Sequence, residues 1–355
     1  MIALVQSAPV FGAVERYVRA LVGGLRAEGC ETLLLHPDAE ELEPFRALAG
    51  GPVRVEAYPP GLESGPALQA VRWLHTRLRS TPPRVVHVTD AWASGVLAAR
   101  LAGVRRVLVT HHTPELPRCD NIFGRVLWRL AWAARPEVIY TSETDRRVDA
   151  RRLRSHVVPL GIDVDRFAGA RPALRGNGRL VGNVARLAPQ KGQGVLLEAA
   201  PLVLERHPDV RFVLVGDGEL RPELERRAET LGVGDRVLFM GVRTDVPELL
   251  ASFSVFALPS YFEGLCYAVL EAQAAGVPVV ATPVGGVRET VVPGETGVRC
   301  EIGDARSLAD GIAGLLDDPS KAERLASEAR RRVRVSFGVE RMVAGTLAVY
   351  GADRC

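Results

Sequence analysis

Two glutamates, Glu263 and Glu271, stand eight positions apart in the chain. Within one continuous helix, eight residues would separate the two carboxylates by roughly 12 Å along the axis and turn them about 80° apart. Groups at that distance cannot share a proton, but they could bind the two ends of one elongated ligand. The alternative is that Glu263 only caps a helix and that Glu271 is a solvated surface residue.

Backbone groups between the two glutamates could bind an anion. A helix that begins near Gly264 leaves the N–H groups of this segment, including those of Leu265 and Cys266, without helical carbonyl partners. The helix dipole also favours negative charge at this end, so phosphate is the expected ligand group.

Two cations, Arg186 and Lys191, follow a predicted strand at residues 180–185. With Gly192 and Gly194 beside them, they could hold a diphosphate and stabilise the charge that it gains as a bond to it breaks. The alternative is that both are ordinary solvated surface cations.

Two further strand ends carry glycine or histidine. Gly12 follows the first strand and would let a ligand approach the backbone at a helix N-terminus. His111 and His112 follow the predicted strand at residues 107–110. No carboxylate or cysteine stands at metal-ligand spacing from them, so we interpret them as polar contacts of an active site and expect no metal site.

The turn at residues 216–218 follows the predicted strand at residues 210–215. Its Gly-Asp-Gly sequence is only part of the G-x-G-x-x-G pattern, which argues against a NAD site. Farther along the chain, Arg243 lies just beyond Gly241 and could approach the base of a nucleotide.

Short apolar runs alternate with amphipathic segments along the whole chain. This alternation predicts an α/β fold with two Rossmann-like, doubly wound parallel sheets. The apolar period disappears at residues 166–178, where glycine and proline accumulate, so we place a linker there. The expected domains are residues 1–165 and 179–336, followed by a terminal helix in residues 337–355.

Composition limits the class of protein. The chain has 355 residues, of which 47% are hydrophobic and 25% are charged, and this size favours two domains. Its 45 basic and 42 acidic residues give a net charge of +3, which is too balanced for a dedicated nucleic-acid binder. No apolar stretch is long enough to span a membrane, and the N-terminus lacks the basic start of a signal peptide. The five cysteines show no C-x-x-C spacing, which indicates reduced thiols in a cytoplasmic protein.

Taken in order, these segments resemble those of the retaining GT-B glycosyltransferases, a family that uses nucleotide sugars and includes bacterial mannosyltransferases, sucrose synthase and glycogen synthases. The ordered set carries the resemblance, rather than any single segment. The matching segments are Gly12-Ala13-Val14-Glu15, Val158-Pro159-Leu160-Gly161-Ile162-Asp163 with Phe167, Gly182-Asn183-Val184-Ala185-Arg186-Leu187 with Lys191-Gly192, Val215-Gly216-Asp217-Gly218, Pro259-Ser260 with Glu263-Gly264, Glu271-Ala272, Ala275-Gly276-Val277-Pro278-Val279 and Gly285-Gly286 with Glu289.

The resemblance implies a donor site in the second domain. Arg186 and Lys191 match the pair that binds the donor diphosphate and stabilises the leaving group. Glu271 matches the carboxylate that holds the ribose hydroxyls, and Glu263 matches the carboxylate beside the transferred sugar.

In the first domain, Gly12 matches the loop that approaches the donor, and His112 matches the family histidine near the sugar and acceptor, with His111 as the second choice. Two positions depart from the family pattern. Ala13 replaces the second glycine of the loop and adds a methyl group where backbone meets ligand. Leu160 replaces a common asparagine near the linker.

The fold that the resemblance implies is GT-B, with two domains facing a cleft and a terminal helix that crosses back to the first domain. The implied activity is retaining transfer of a hexose from a UDP-sugar or GDP-sugar to a small-molecule, glycan or lipid-linked acceptor. No metal and no other cofactor are expected. Two alternatives remain, namely a phosphorylase or sugar-nucleotide epimerase of the same fold, and a non-catalytic sugar-nucleotide binder.

Residues 121–135 bear on the acceptor. They combine Trp128 and Trp132 with Arg125 and Arg129, and a helix of this composition could make a weak peripheral contact with an anionic membrane. The spacing of the two tryptophans fits packing against the sheet equally well.

Overall fold

The apolar runs of the sequence form two parallel sheets, one in each of two compact units. The computed structural model describes residues 1–7, 12–38, 43–62, 67–112, 122–149, 153–174 and 178–351, and describes only the backbone of residues 43, 122 and 123. The first unit comprises Met1–Gly161 and Val339–Cys355, and the second comprises Ile162–Gly338.

The first unit alternates strands with helices. Its strands are β1 (Ile2–Val5), β2 (Thr32–Pro37), β3 (Val53–Tyr58), β4 (Val85–Val88), β5 (Arg106–His111), β6 (Glu137–Tyr140) and β7 (Ser155–Val157). Its helices before the second unit are α1 (Ala13–Ala27), α2 (Glu43–Arg46), α3 (Ala67–Ser80), α4 (Ala93–Leu101), α5 (Ile122–Ala133) and α6 (Glu143–Val148). The strands pair in parallel in the order β3-β2-β1-β4-β5-β6-β7.

The second unit repeats this plan. Its strands are β8 (Leu180–Val184), β9 (Arg211–Val215), β10 (Val237–Phe239), β11 (Val255–Leu258), β12 (Val279–Ala281) and β13 (Val298–Arg299). Its helices are α7 (Val164–Ala168), α8 (Gln193–Arg206), α9 (Arg221–Thr230), α10 (Val246–Leu250), α11 (Tyr267–Ala275), α12 (Val287–Thr290), α13 (Ala305–Asp317) and α14 (Pro319–Ser336). The strands pair in parallel in the order β10-β9-β8-β11-β12-β13.

Central strands of both sheets are buried along their whole length, as β1, β4 and β11 show. A parallel sheet is covered by helices on both faces, so its strands are apolar throughout rather than at alternate positions. The helices contribute one apolar face each. In α1, for example, Val18, Leu21 and Leu25 are fully buried. The predicted α/β fold with two doubly wound parallel sheets is therefore confirmed.

The chain leaves the first unit after Gly161. Residues 162–174 are grouped with the second unit, where the N–H groups of Ala173 and Leu174 donate to Glu248 and Ser252. The linker at residues 166–178 stays a prediction. The carboxylate of Asp163 accepts a hydrogen bond from the backbone N–H of Arg166 and caps the short helix α7. The apolar period is lost here because a short helix and a loop lie on the surface of the second unit.

Three cysteines fall within the described residues. Cys266 and Cys300 are free and buried in the second unit. Cys30 is disulfide-bonded. The expectation that the cysteines are reduced is therefore wrong for Cys30.

Helix α5 carries the residues that we considered for membrane contact. Trp128 and Trp132 stack with their ring centroids 5.3 Å apart and pack against the core of the first unit, as the core-packing alternative expects. The outer face of the helix exposes Arg125, Val126, Arg129 and Leu130. Among the described residues, no helix has the length and the apolar character that a bilayer span requires.

The last helix, α15 (Val339–Tyr350), belongs to the first unit and packs on α1. Gly24 of α1 permits this contact, because a Cβ atom at this position would lie 2.2 Å from Cγ2 of Val343. At the neighbouring Gly23, a Cβ atom would meet no described atom within 4 Å.

We expect Gly24→Ala to lower the free energy of unfolding by about 1–3 kcal/mol, because the added methyl group must displace Val343 and with it α15. Gly23→Ala is the matched control on the same helix. It should leave stability unchanged or raise it by up to about 1 kcal/mol, since it removes a glycine from a helix without a clash. Urea unfolding measures both variants, and equal midpoints would contradict the close packing of α15 on α1.

Candidate active site

The strand order of the second sheet reverses direction between β8 and β11. In doubly wound sheets, ligands bind beyond the carboxyl ends of the strands at this point. Arg186 and Lys191 follow β8, and Glu263 follows β11. The topology therefore brings the predicted cations and one predicted glutamate to the edge of the sheet where a ligand is expected.

Lys191 and Glu263 form an ion pair at this edge. The Lys191 ammonium donates a hydrogen bond to Glu263 Oε1 at 2.6 Å, and the Ser260 hydroxyl donates to the same oxygen at 2.8 Å. The side chains are 17% and 6% exposed, respectively. Burial acts to lower the pKa of Lys191. The negative charges of Cys266, where it is ionised at alkaline pH, and of Glu263 act in the opposite direction and outweigh burial, so the pKa of Lys191 is raised. Lys191 is consequently a fixed cation at neutral pH.

The loop between β8 and α8 lies directly against the loop after β11. Gly192 has a left-handed backbone with φ of 66°, and a Cβ atom there would lie 2.1 Å from the carbonyl oxygen of Pro259. Beside it, the backbone N–H of Tyr261 donates to the Gln190 carbonyl at 2.8 Å, and the Gln190 amide donates to the Phe262 carbonyl at 2.9 Å. Only glycine fits this contact, and it sets Lys191 opposite Glu263.

A second glycine contact closes the site behind Glu263. Gly285 has φ of 46°, and a Cβ atom there would lie 1.8 Å from the carbonyl oxygen of Glu263. The N–H of Gly286 donates to the carbonyl of Gly264 at 3.1 Å. The loop after β12 therefore holds the backbone of the Glu263-Gly264 pair.

Arg186 differs from Lys191 in its exposure. Its side chain is exposed and, within the described part of the chain, its guanidinium donates no hydrogen bond. Its backbone is held instead, because the buried Gln193 amide donates to the Arg186 carbonyl at 3.0 Å and contacts Asn183 Oδ1 at 3.4 Å. The guanidinium is therefore available to an incoming anion.

The structure corrects the predicted start of the helix that bears Glu271. Helix α11 begins at Tyr267, and Cys266 is its N-cap with extended backbone, so Glu263 and Gly264 precede the helix. Glu263 is therefore not at a helix N-terminus, the helical spacing of the two glutamates does not apply, and the first N–H groups of the helix come after Cys266.

Both alternatives for the glutamates are excluded: Glu271 is buried rather than a solvated surface residue, and Cys266, not Glu263, is the N-cap of α11. Glu263 is 5% exposed, and Glu271, in the second turn of α11, is 4% exposed. Leu265 and Cys266 between them are also buried, and burial with the nearby Glu263 carboxylate raises the pKa of the Cys266 thiol to about 12. Cys266 is thus a neutral thiol that lines the site rather than a nucleophile.

Gly241 and Arg243 occupy the loop after β10. The N–H of Gly216 donates to the Gly241 carbonyl at 2.8 Å, and Gly241 has φ of 65°. Arg243 is exposed and forms a bidentate ion pair with Asp245 at 2.8 and 2.7 Å. The structure thus ties Gly241 to the turn beside Arg186, whereas no described contact brings Arg243 to the other site residues.

In the first unit, no described contact requires a glycine at position 12. Gly12 has an extended backbone with φ of −176°, and an added Cβ atom would meet no described atom within 4 Å. Residues 8–11, which precede it, lie outside the described residues.

His112 follows β5 and is held as one tautomer. Its Nε2 lies 2.8 Å from the Thr89 carbonyl oxygen, which can only accept, so Nε2 carries the proton and Nδ1 keeps its lone pair. Nδ1 is buried and has no hydrogen-bond partner among the described residues. Burial lowers the pKa of His112 to about 4, against the opposing effect of the Thr89 carbonyl. His111, the second choice, is 2% exposed and packs on Tyr140.

Two family models match the chain in succession. Residues 14–166 match Glycosyltransferase Family 4, and residues 167–332 match Glycosyl transferases group 1. The chain is 31% identical over 269 residues to UDP-Gal:alpha-D-GlcNAc-diphosphoundecaprenol alpha-1,3-galactosyltransferase of Escherichia coli, with 69% of each protein covered. This chain belongs to the group 1 glycosyltransferases.

Further comparisons extend over nearly the whole glycosyltransferase. A GDP-mannose-dependent monoacylated alpha-(1-6)-phosphatidylinositol monomannoside mannosyltransferase of Corynebacterium glutamicum is 28% identical over an alignment of 373 positions, gaps included, and the alignment covers 94% of this chain and 93% of that protein. The solved structure of Anabaena Alr3699/HepE in complex with UDP superposes with a TM-score of 0.82 at 23% identity and 99% coverage of both chains. The fold is GT-B, as the resemblance implied.

Sequence reasoning about the glycosyltransferase missed several supporting residues. Ser260 and Gln193 hold Glu263 and the Arg186 backbone, respectively, and Tyr17 packs edge-on against His112 with ring centroids 5.0 Å apart. Gln193 and Tyr17 lie on helices, and a polar or aromatic residue in a helix does not by itself indicate a functional site. Gln193 lies between Gly192 and Gly194 in the segment after β8, and this position is the signal that could have marked it, whereas no such signal marks Tyr17.

A pH dependence of stability follows from two buried imidazoles. Burial lowers the pKa of His87 to about 3 and that of His112 to about 4, whereas an unfolded histidine titrates near 6.5. Between these values the unfolded state binds more protons, so acidification favours unfolding. We expect the free energy of unfolding to fall by roughly 2 kcal/mol for each histidine between pH 7 and pH 5.

Chemical unfolding at pH 7, 6 and 5 measures this loss. Above pH 5, carboxylates with lowered pKa values such as Glu56 and Asp209 remain ionised in both states and contribute little. The raised pKa of Glu15, caused by burial, acts in the opposite direction. An equal free energy of unfolding at pH 7 and pH 5 would show that the two imidazoles are not held neutral.

Proposed function

We propose that the chain is a retaining glycosyltransferase that moves a hexose from a UDP-sugar or GDP-sugar to a small-molecule, glycan or lipid-linked acceptor. The observation that carries the proposal is the buried Lys191–Glu263 pair, which lies with the exposed Arg186 at the switch point of the second sheet. The two cations suit the diphosphate of such a donor and the negative charge that it gains as it leaves. The carboxylate suits the hydroxyl groups of the sugar.

The names of related proteins support this choice of donor. The Escherichia coli relative uses UDP-Gal, and the Corynebacterium glutamicum relative depends on GDP-mannose. One structural neighbour was solved with UDP and with UDP-glucose. Uridine and guanosine nucleotides are therefore the first donors to test.

In the proposed reaction, the bond between the sugar C1 and the diphosphate oxygen breaks and a bond from C1 to the acceptor oxygen forms. The proton of the acceptor hydroxyl passes to an oxygen of the leaving diphosphate. Lys191 and Arg186 stabilise the negative charge on that diphosphate, so we assign neither a metal nor another cofactor to this step. Glu271 would hold the ribose hydroxyls.

Glu263 is assigned to binding of the sugar rather than to nucleophilic attack. Its Oε1 already accepts hydrogen bonds from Lys191 and Ser260, which leaves Oε2 to accept one from a sugar hydroxyl. Its charge would also stabilise an oxocarbenium-like centre. His112 is assigned to the sugar and acceptor from the resemblance, with the lone pair of neutral Nδ1 accepting a hydrogen bond from a hydroxyl group.

Lys191→Ala should lower kcat by about 100-fold or more, because it removes charge stabilisation that grows as the diphosphate leaves. Lys321→Ala is the matched control, since Lys321 is an exposed lysine of the same unit. Removing Lys191 also leaves Glu263 buried without its counterion, at a cost of about 3–5 kcal/mol, so the assay must be run well below the measured Tm. Near-normal turnover of folded Lys191→Ala would mean that the diphosphate binds elsewhere.

A thermal-shift screen with UDP, GDP, ADP and TDP identifies the donor class. We expect either UDP or GDP to raise Tm by several degrees at about 100 times its Kd, which corresponds to about 2.7 kcal/mol of stabilisation. Glu271→Gln should weaken that shift, because ribose hydroxyls donate to the carboxylate, whereas the exposed Glu301→Gln should not. The donor assignment is contradicted if none of the four nucleotides raises Tm.

A further inference from the structure

A chain of hydrogen bonds runs through the core of the first unit. The Thr110 hydroxyl lies 2.6 Å from His87 Nε2 and 3.2 Å from the Tyr17 hydroxyl. On the other side of the imidazole, His87 Nδ1 lies 2.6 Å from the Tyr350 hydroxyl. The four side chains come from α1, β4, β5 and α15, so the chain joins two helices through the sheet.

All four side chains are excluded from water. Tyr17, His87, Thr110 and Tyr350 are between 0% and 2% exposed. A buried hydroxyl or imidazole nitrogen without a hydrogen-bond partner costs free energy. Here each of these groups has a partner within the chain of hydrogen bonds. The donors and acceptors also fit, because a neutral imidazole supplies one N–H and one lone pair to its two hydroxyl neighbours.

This chain ends against the candidate residue His112. The Tyr17 ring packs edge-on against the His112 ring, with centroids 5.0 Å apart and planes at 75°. The Tyr17 hydroxyl is hydrogen-bonded to the Thr110 hydroxyl. The ring that sets one side of the His112 imidazole is therefore itself held by the hydrogen-bonded chain.

The second constraint on His112 is its own hydrogen bond. Nε2 donates to the Thr89 carbonyl, and this fixes the tautomer only while the ring keeps its orientation. Rotation of the ring about χ2 would break the bond and exchange the positions of the two nitrogens. The Tyr17 ring opposes this rotation by contact.

We propose that Tyr17, Thr110, His87 and Tyr350 are positioning residues for His112, which hold its imidazole in the orientation where Nε2 donates to Thr89 and Nδ1 keeps its lone pair. The inference rests on the proposed role of His112 at the transferred sugar. It gives a role to Tyr350, which lies 263 positions from His87 in the sequence.

Thr110→Val tests the proposal, because it removes the central hydroxyl and keeps the shape of the side chain. We expect kcat to fall at least 10-fold, with the KM for the donor within about 2-fold of the parent protein. Thr32→Val is the matched control, since it removes a fully buried hydroxyl of the same unit. Thr32 lies at the amino end of β2, whereas Thr110 lies near the carboxyl end of β5. That variant should keep the parent kcat at a similar cost in Tm.

Tyr350→Phe tests the far end of the chain. It should lower kcat in the same direction, and Thr110→Val with Tyr350→Phe should be no slower than Thr110→Val alone, because one chain is already broken. Fully multiplicative effects would show that the two residues act separately and would overturn the proposal.

A readout without any substrate separates this inference from the proposed function. In protein labelled with ¹⁵N-histidine, His112 should give the signals of a single Nε2–H tautomer at pH 7, and Thr110→Val should give averaged signals while Thr32→Val does not. Unchanged His112 signals in Thr110→Val, or a kcat equal to that of Thr32→Val, would reduce the chain to a structural role. If the parent protein transfers no sugar from any donor, the proposed function fails, and the NMR comparison alone decides whether the chain positions His112.

Discussion

The second unit depends on how it accommodates the buried carboxylate of Glu263. A carboxylate that is 5% exposed must be paired, and Lys191 and Ser260 supply the partners through Glu263 Oε1. Such a pair contributes little net stability, because desolvation of both ions offsets their attraction. Two loops nevertheless bend tightly, through Gly192 and Gly285, to bring these groups together. The arrangement therefore makes sense as a preformed binding site rather than as a source of stability.

The first unit contains a buried polar cluster of the opposite kind. Tyr17, Thr110, His87 and Tyr350 are neutral and satisfy one another by hydrogen bonds, and His112 donates to the Thr89 carbonyl. Burial keeps His87 and His112 uncharged by lowering the pKa of each. The two imidazoles are therefore neutral donors and acceptors, although the first unit also buries the carboxyl groups of Glu15 and Asp145.

Most of the fold could be predicted from the sequence, because strands that are buried on both faces consist of uninterrupted apolar residues. Arg186 and Lys191 could also be placed, since the position of a residue just after a strand is a local property. The start of α11 could not, because the loop before it is fixed by Gly285, whose contact with Glu263 spans more than twenty residues. The role of Tyr350 was invisible for the same reason, since its partner His87 is distant in sequence and a tyrosine in an amphipathic helix is typical of any core.

The return of α15 to the first unit has a consequence for the order of events during synthesis. The second unit is continuous from residue 162 to residue 338, whereas the first unit needs a segment that leaves the ribosome after all of it. Until α15 emerges, the face of α1 around Gly24 is uncovered and His87 lacks the hydroxyl of Tyr350. The first unit therefore cannot complete its core before the second unit has been synthesised, and until then part of its apolar surface stays exposed to solvent and to chaperones.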